Sequence, residues 1–239
     1  MKKLVLTTVC ALVISGVAFA QGTVNWSTPF SSITAQTNAT SYSPLFGGGS
    51  AGGTTGATDF GSATYSTPGG DFYYALLYMP NTTTLGTTLT LGNWSQWSFT
   101  GEMATNNASG TAGRLSPIAP NTAATVPWSN GTTNNIILVG WSADLGSSWT
   151  SVSNTILNWA TLGANYGTTN TFFGMSTVGY INPATGNPGV APFGSSAQAY
   201  GLPIFSLNTQ LYLLPVPEPT TVALAGLGGL ALLAFRRRK

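Results

Sequence analysis

The sequence predicts an all-β domain, an antiparallel β-sandwich of jelly-roll or Ig-like type with one short helix. An N-terminal signal helix and a C-terminal transmembrane helix flank it. Three observations carry this. Between Gln21 and Pro215, short alternating or continuous apolar runs recur, most of them too short for helices. Gly, Asn, Ser and Pro separate the runs, as turns require. Seven Trp, nine Tyr and eleven Phe supply a core while only 5% of residues are charged, a composition unlike that of charge-driven disorder.

The elements follow in chain order. Thr23-Val24-Asn25-Trp26-Ser27 alternates polar and apolar residues and predicts a strand. Phe46 to Gly56 is glycine-rich and predicts a flexible loop. Phe72 to Tyr78 predicts a strand stopped by Pro80-Asn81. Leu89-Thr90-Leu91 leads through Gly92 to Trp94, Trp97 and Phe99 and predicts another strand, with the two indoles on opposite faces unless a bulge turns one of them. Ile136 to Trp141 is continuously apolar, the mark of a central strand covered on both faces. Thr150–Leu162 predicts the helix, capped by Thr150 or Ser151 and ended by Gly163, with Val152, Ile156, Leu157 and Trp159 on its apolar side. Phe172 to Val178 predicts a strand and 182–196 a proline-containing loop. Phe205, Leu207, Leu211 and Leu213 share one parity and predict a half-buried closing strand. A solenoid is the alternative fold, although no repeat of fixed period is present.

The ends are addresses, and they divide the chain into 1–20, 21–215 and 216–239. Lys2 and Lys3 precede an apolar run. Ala18 and Ala20 are the small residues that signal peptidase reads, so the cut is expected between Ala20 and Gln21. The alternative, an uncleaved anchor, is disfavoured because the run falls short of the ~20 residues a span needs. At the other end, Val216-Pro217-Glu218-Pro219 precedes an uncharged apolar segment, 220–235, and then Arg236-Arg237-Arg238-Lys239. Sixteen helical residues at ~1.5 Å each reach about 24 Å, near the lower limit for a membrane helix. The four terminal cations hold that end on the cytoplasmic side. Two prolines around one acid make an extended peptide, a shape suited to a protease.

Those last 24 residues resemble the PEP-CTERM sorting signal of Gram-negative bacteria. The resemblance implies recognition of Val216, Pro217, Glu218 and Pro219 by exosortase, a membrane enzyme that removes the tail. It further implies transient residence in the cytoplasmic membrane and a final location at the outer surface or outside the cell, often alongside exopolysaccharide. The opening Gln21-Gly22-Thr23-Val24-Asn25-Trp26 is similar to that of exported proteins of Verrucomicrobia-type bacteria. Export would engage the Sec machinery and signal peptidase.

The middle offers little catalytic chemistry. It holds Asp59, Asp71, Glu102, Arg114 and Asp144, hence a net charge of −3, and the chain contains no histidine. A basic surface for nucleic acid is excluded, since that binding needs clustered Lys and Arg. Cys10, the one cysteine, lies in the signal segment, so disulfides and Cys/His metal sites are excluded from the body. No cofactor or metal is expected. Two of the four acids would be needed for glycoside hydrolysis, and their spacing neither favours nor forbids it. Asp59 and Asp71, beside glycine-rich loops, are weak candidates for Ca²⁺, lacking an Asp-x-Asp-x-Asp loop. Trp94 and Trp97 are the candidates for stacking on sugar rings, against a plainer reading as core. Asn-x-Ser/Thr triplets at Asn25, Asn38, Asn81, Asn93, Asn107 and Asn130 follow from composition. The sequence therefore reads as an exported, non-enzymatic surface or matrix protein. A lectin-like module is the alternative, and a secreted carbohydrate-active enzyme comes third.

Overall fold

A computed structural model describes residues 21–27, 33–53, 72–80, 83–106, 113–166, 171–205 and 209–216. The expected signal helix over 1–20 and transmembrane helix over 220–235 lie outside these residues, as do Asp59 and Asp71. Among the described residues are strands β1 (Gly22–Val24), β2 (Ala35–Tyr42), β3 (Phe72–Met79), β4 (Ser98–Asn106), β5 (Leu115–Pro117) and β6 (Ala124–Val126). After them come β7 (Asn134–Ser142), β8 (Phe172–Met175), β9 (Gly179–Ile181), β10 (Gly201–Leu202) and β11 (Thr209–Leu213). Two short helices, α1 (Trp149–Leu157) and α2 (Trp159–Leu162), lie between β7 and β8. No described helix is long and apolar enough to cross a membrane.

The protein is mostly β, as expected, but it is not an antiparallel sandwich. Nine strands form one mixed sheet, β2-β11-β8-β7-β3-β4-β5, with β9 on the first part of β7 and β10 on β9. β1 and β6 form a separate antiparallel pair. β11 runs parallel to β2. The large sheet curls until its ends meet: Thr34 bridges Arg114, and the Ala35 amide donates to the Gly113 carbonyl at 2.8 Å. Residue alternation reports which side chains face a core, not the direction of the neighbouring strand. The placement of β11 between β2 and β8 was therefore invisible to it.

Cores lie on both faces of the sheet. Tyr74, Leu76, Ile136 and Leu138 face one, which Val24, Trp26, Val126, Phe193 and Ile204 complete. Leu77, Ile137, Val139 and Trp141 face the other, closed by Trp94, Val152, Ile156 and Trp159. This two-sided cover explains why all nine residues of β7 are buried and why its stretch from Ile136 to Trp141 is continuously apolar. The loop over 182–196 supplies part of the first cover, pairing Val190 with Val24 and bringing Phe193 within 5.6 Å of Trp26, ring centre to ring centre.

Four local expectations change. Leu91–Gln96 is a 3₁₀ helix rather than a strand, capped by reciprocal hydrogen bonds between Thr90 and Asn93. The helix expected over 150–162 begins earlier, on Ser148 as cap, and divides at Asn158. Leu157 projects outward, 49% exposed, because five residues after Val152 the wheel has turned away from the core. The strand expected from Phe172 to Val178 stops at Met175. There the Ser176 hydroxyl accepts the Leu138 amide at 3.0 Å, in place of a strand carbonyl. The described part of the glycine-rich run turns back on β2. Gly47, Gly48 and Gly49 have φ of 90°, 67° and 106°, a backbone that favours glycine, and Ser50 then bridges Ser41.

Candidate functional site

The described chain leaves the fold through a tight exit. β11 lies between β2 and β8, so its last residues meet three different elements. The Leu213 carbonyl accepts the Ser43 amide at 2.9 Å, just past β2. The Leu214 amide donates to the Thr171 carbonyl at 2.8 Å, just before β8, and the Leu214 side chain is buried. The Pro215 carbonyl accepts the Trp159 indole N–H at 2.6 Å, from α2. Thr171 is fixed in turn, its hydroxyl donating to the Asp144 carboxylate. Three consecutive residues are thus clamped, and Val216 is the first to emerge, 44% exposed. Of the expected sorting residues only Val216 is described; Pro217, Glu218, Pro219 and Arg236–Lys239 lie outside, as do Ala18 and Ala20. Gln21 is exposed at the other end.

Trp94 and Trp97, expected on opposite faces of a strand and named as candidates for stacking on sugar, both lie in the core. Trp94 is 4% and Trp97 7% exposed. With three residues per turn, the 3₁₀ segment brings positions i and i+3 to one side, so both indoles enter the core where strand alternation would have split them. Trp94 stacks on Trp149 at 5.5 Å, meets Phe173 at 5.9 Å, and donates to the Ser153 hydroxyl at 2.8 Å. Neither ring is open to a sugar.

The two residues between them are. Ser95 and Gln96 are exposed and line a cleft of ≈ 400 Å³ together with Ser98, Thr83, Thr84 and Thr87; Met79 and Pro80 add apolar surface. The walls are internally braced. The Asn135 side chain, fully buried, accepts the Gly86 amide at 2.9 Å and donates to the Thr84 carbonyl at 3.0 Å. Asn93 accepts the Thr90 amide and donates to the Thr88 carbonyl, each at 2.8 Å. The sequence reading missed this cleft because it followed the large aromatic residues. The Thr90-x-x-Asn93 spacing, a variant of the capping box, was the available signal.

The two described acids stand apart in the fold. Asp144 is in the turn after β7, and Glu102 lies on β4, across β3 from β7. No group of three or more His, Cys, Asp or Glu side chains placed to hold a metal ion is found among the described residues. Burial holds the Glu102 carboxyl above the usual carboxylate range. The folded chain therefore binds this proton more tightly than the unfolded chain. The stability tied to it is complete below the unfolded carboxylate range and is lost as pH rises through the folded value. Glu102→Gln is expected to raise the thermal midpoint at about pH 7 and to leave it unchanged at about pH 3. Thermal melts of both proteins at the two pH values check this, and equal shifts at both would assign the effect to packing.

Comparison with protein families gives a match to the PEP-CTERM protein-sorting motif over residues 215–239. Neither the curated proteins nor the solved structures gave a match. The match begins at Pro215, the residue whose carbonyl Trp159 holds. A motif of this kind implies export, anchoring in the membrane during processing, and exosortase as the processing partner.

Proposed function

We propose that this is a cell-surface or extracellular-matrix protein whose body is structural rather than enzymatic and associates with exopolysaccharide once exosortase has removed the tail. The observation that carries the reading is the sorting motif, which follows the folded body with no intervening spacer. The charge-poor, histidine-free composition supports it. Hydroxyl and amide groups bond to neutral polysaccharide independently of salt, whereas ion pairs would be screened. A lectin-like module is the second reading, favoured by the neutral cleft beside Gln96.

Intact mass and cell fractionation, with and without the sorting enzyme, test the first reading. The expected product begins at Gln21, lacks the tail and lies outside the inner membrane; without the enzyme the chain keeps Lys239 and stays in the membrane. A chain ending in Lys239 in both strains would reduce the tail to an ordinary anchor.

A further inference from the structure

We infer that the cleft between the 83–87 turn and the 91–98 segment is a binding site for a neutral saccharide. This deepens the exopolysaccharide-associated reading and rests on it. The lining chooses the ligand class. Thr83, Thr84, Ser95 and Ser98 offer hydroxyls, each both donor and acceptor, Thr87 offers an acceptor since its hydroxyl donates to the Thr84 carbonyl at 2.9 Å, and Gln96 offers an amide with both functions. Among the described residues, no charged or titratable side chain lines the cleft. A phosphate, a uronate or a metal ion would find no opposite charge there, and proton-transfer chemistry would find no acid or base.

A ligand suited to this lining carries many hydroxyls, no charge and some apolar surface. A pyranose ring answers that description: its hydroxyls meet the threonine, serine and glutamine groups, and its C–H face meets Met79 and Pro80. The volume of ≈ 400 Å³ lies in the range of small-molecule sites. The bracing counts as well. Asn135 fixes the turn on one side and Asn93 the segment on the other, each through its own side-chain hydrogen bonds. The hydrogen-bonding groups are thus positioned before a ligand arrives, which lowers the ordering cost of binding. Trp94 and Trp97 are the inward anchors that leave Ser95 and Gln96 facing out.

The test is a glycan array probed with the purified full-length protein. It carries neutral oligosaccharides of glucose, galactose, mannose and N-acetylglucosamine, their uronate counterparts, and uncharged peptides. Gln96→Ala and Thr84→Val, both at exposed positions, are compared with wild type after thermal melts show all three folded. The expected result is retention of one or more neutral glycans, unchanged between about 0.05 and 0.5 M salt. Each substitution should weaken it about three- to tenfold, the loss expected for one neutral hydrogen bond. Absence of neutral-glycan binding, equal binding by all three proteins, preference for uronates, or preference for peptides would each overturn the assignment. An empty array beside a processed, surface-located protein removes the cleft alone. Glycan binding by a chain that is never processed removes the sorting reading alone.

Discussion

Gly174→Ala should destabilise the body by about 3 kcal/mol, a large share of a typical folding free energy. The reason is a row of residues running across the sheet: Ala104, Tyr74, Gly140, Gly174, Leu211 and Thr37 stand side by side on successive strands. Tyr74 is the one large ring in the row and is fully buried. Gly140 makes room for it; a methyl there would lie 2.6 Å from the Tyr74 ring and 2.9 Å from a Leu211 methyl. At Gly174 the obstacle is backbone. A methyl would run into the Gln210 carbonyl oxygen and lie 2.8 Å from the Leu211 Cα. A side chain can swing aside, but here β11 itself would have to move off β8, and with it the exit at Leu214. Gly186 is the control: its added methyl meets nothing within 4 Å and its backbone needs no positive φ. Gly186→Ala should change stability by no more than about 0.5 kcal/mol. Urea unfolding of the three proteins measures both; equal midpoints for Gly174→Ala and wild type would mean that β8 and β11 are not packed as described.

Parts of this architecture were readable in the sequence because a single local cause fixed them. Ile136 to Trp141 is apolar at every non-glycine position, so only a strand covered on both faces accommodates it, and β7 is such a strand. Val24 and Trp26, two apart, both reach full burial in the way alternation predicts. What escaped depended on partners distant in sequence or on a change of period. Nothing near Thr209–Leu213 says that the neighbour will be Ala35–Tyr42 running parallel. Alternation with period two splits Trp94 from Trp97, whereas the 3₁₀ segment Leu91–Gln96 has period three and buries both, leaving Ser95 and Gln96 outside. The cleft escaped as well: its lining is Thr, Ser and Gln, the residues most common in the surrounding loops, and only their juxtaposition in three dimensions distinguishes them. The sorting motif was legible for the opposite reason, being a short linear code.

Replacing both prolines of that code, as Pro217→Ala with Pro219→Ala, should leave essentially all of the protein as the long, membrane-held form. The substitution separates shape from charge, since Glu218 is kept. Proline holds the residue before it extended and cannot continue a helix, whereas alanine is the best helix former. With alanines in place, the helix that the sequence predicts over 220–235 would be free to extend backwards, and the extended peptide expected ahead of it would be lost. Glu218→Gln keeps both prolines and tests the charge alone; if it blocks processing while the double alanine variant is cut normally, the shape argument fails. The exit clamp adds a second expectation to the same experiment. Leu213, Leu214 and Pro215 are each held through a backbone group, and a protease needs an extended, unencumbered strand on both sides of the bond it cuts. The wild-type mature chain should therefore end at or beyond Val216, a position fixed by mass spectrometry of its C-terminal peptide. A mature end at or before Pro215 would require the clamp to open before cleavage. In that case Trp159→Phe, which removes the bond to the Pro215 carbonyl while keeping an aromatic ring, should speed processing; with the end at or beyond Val216 it should not.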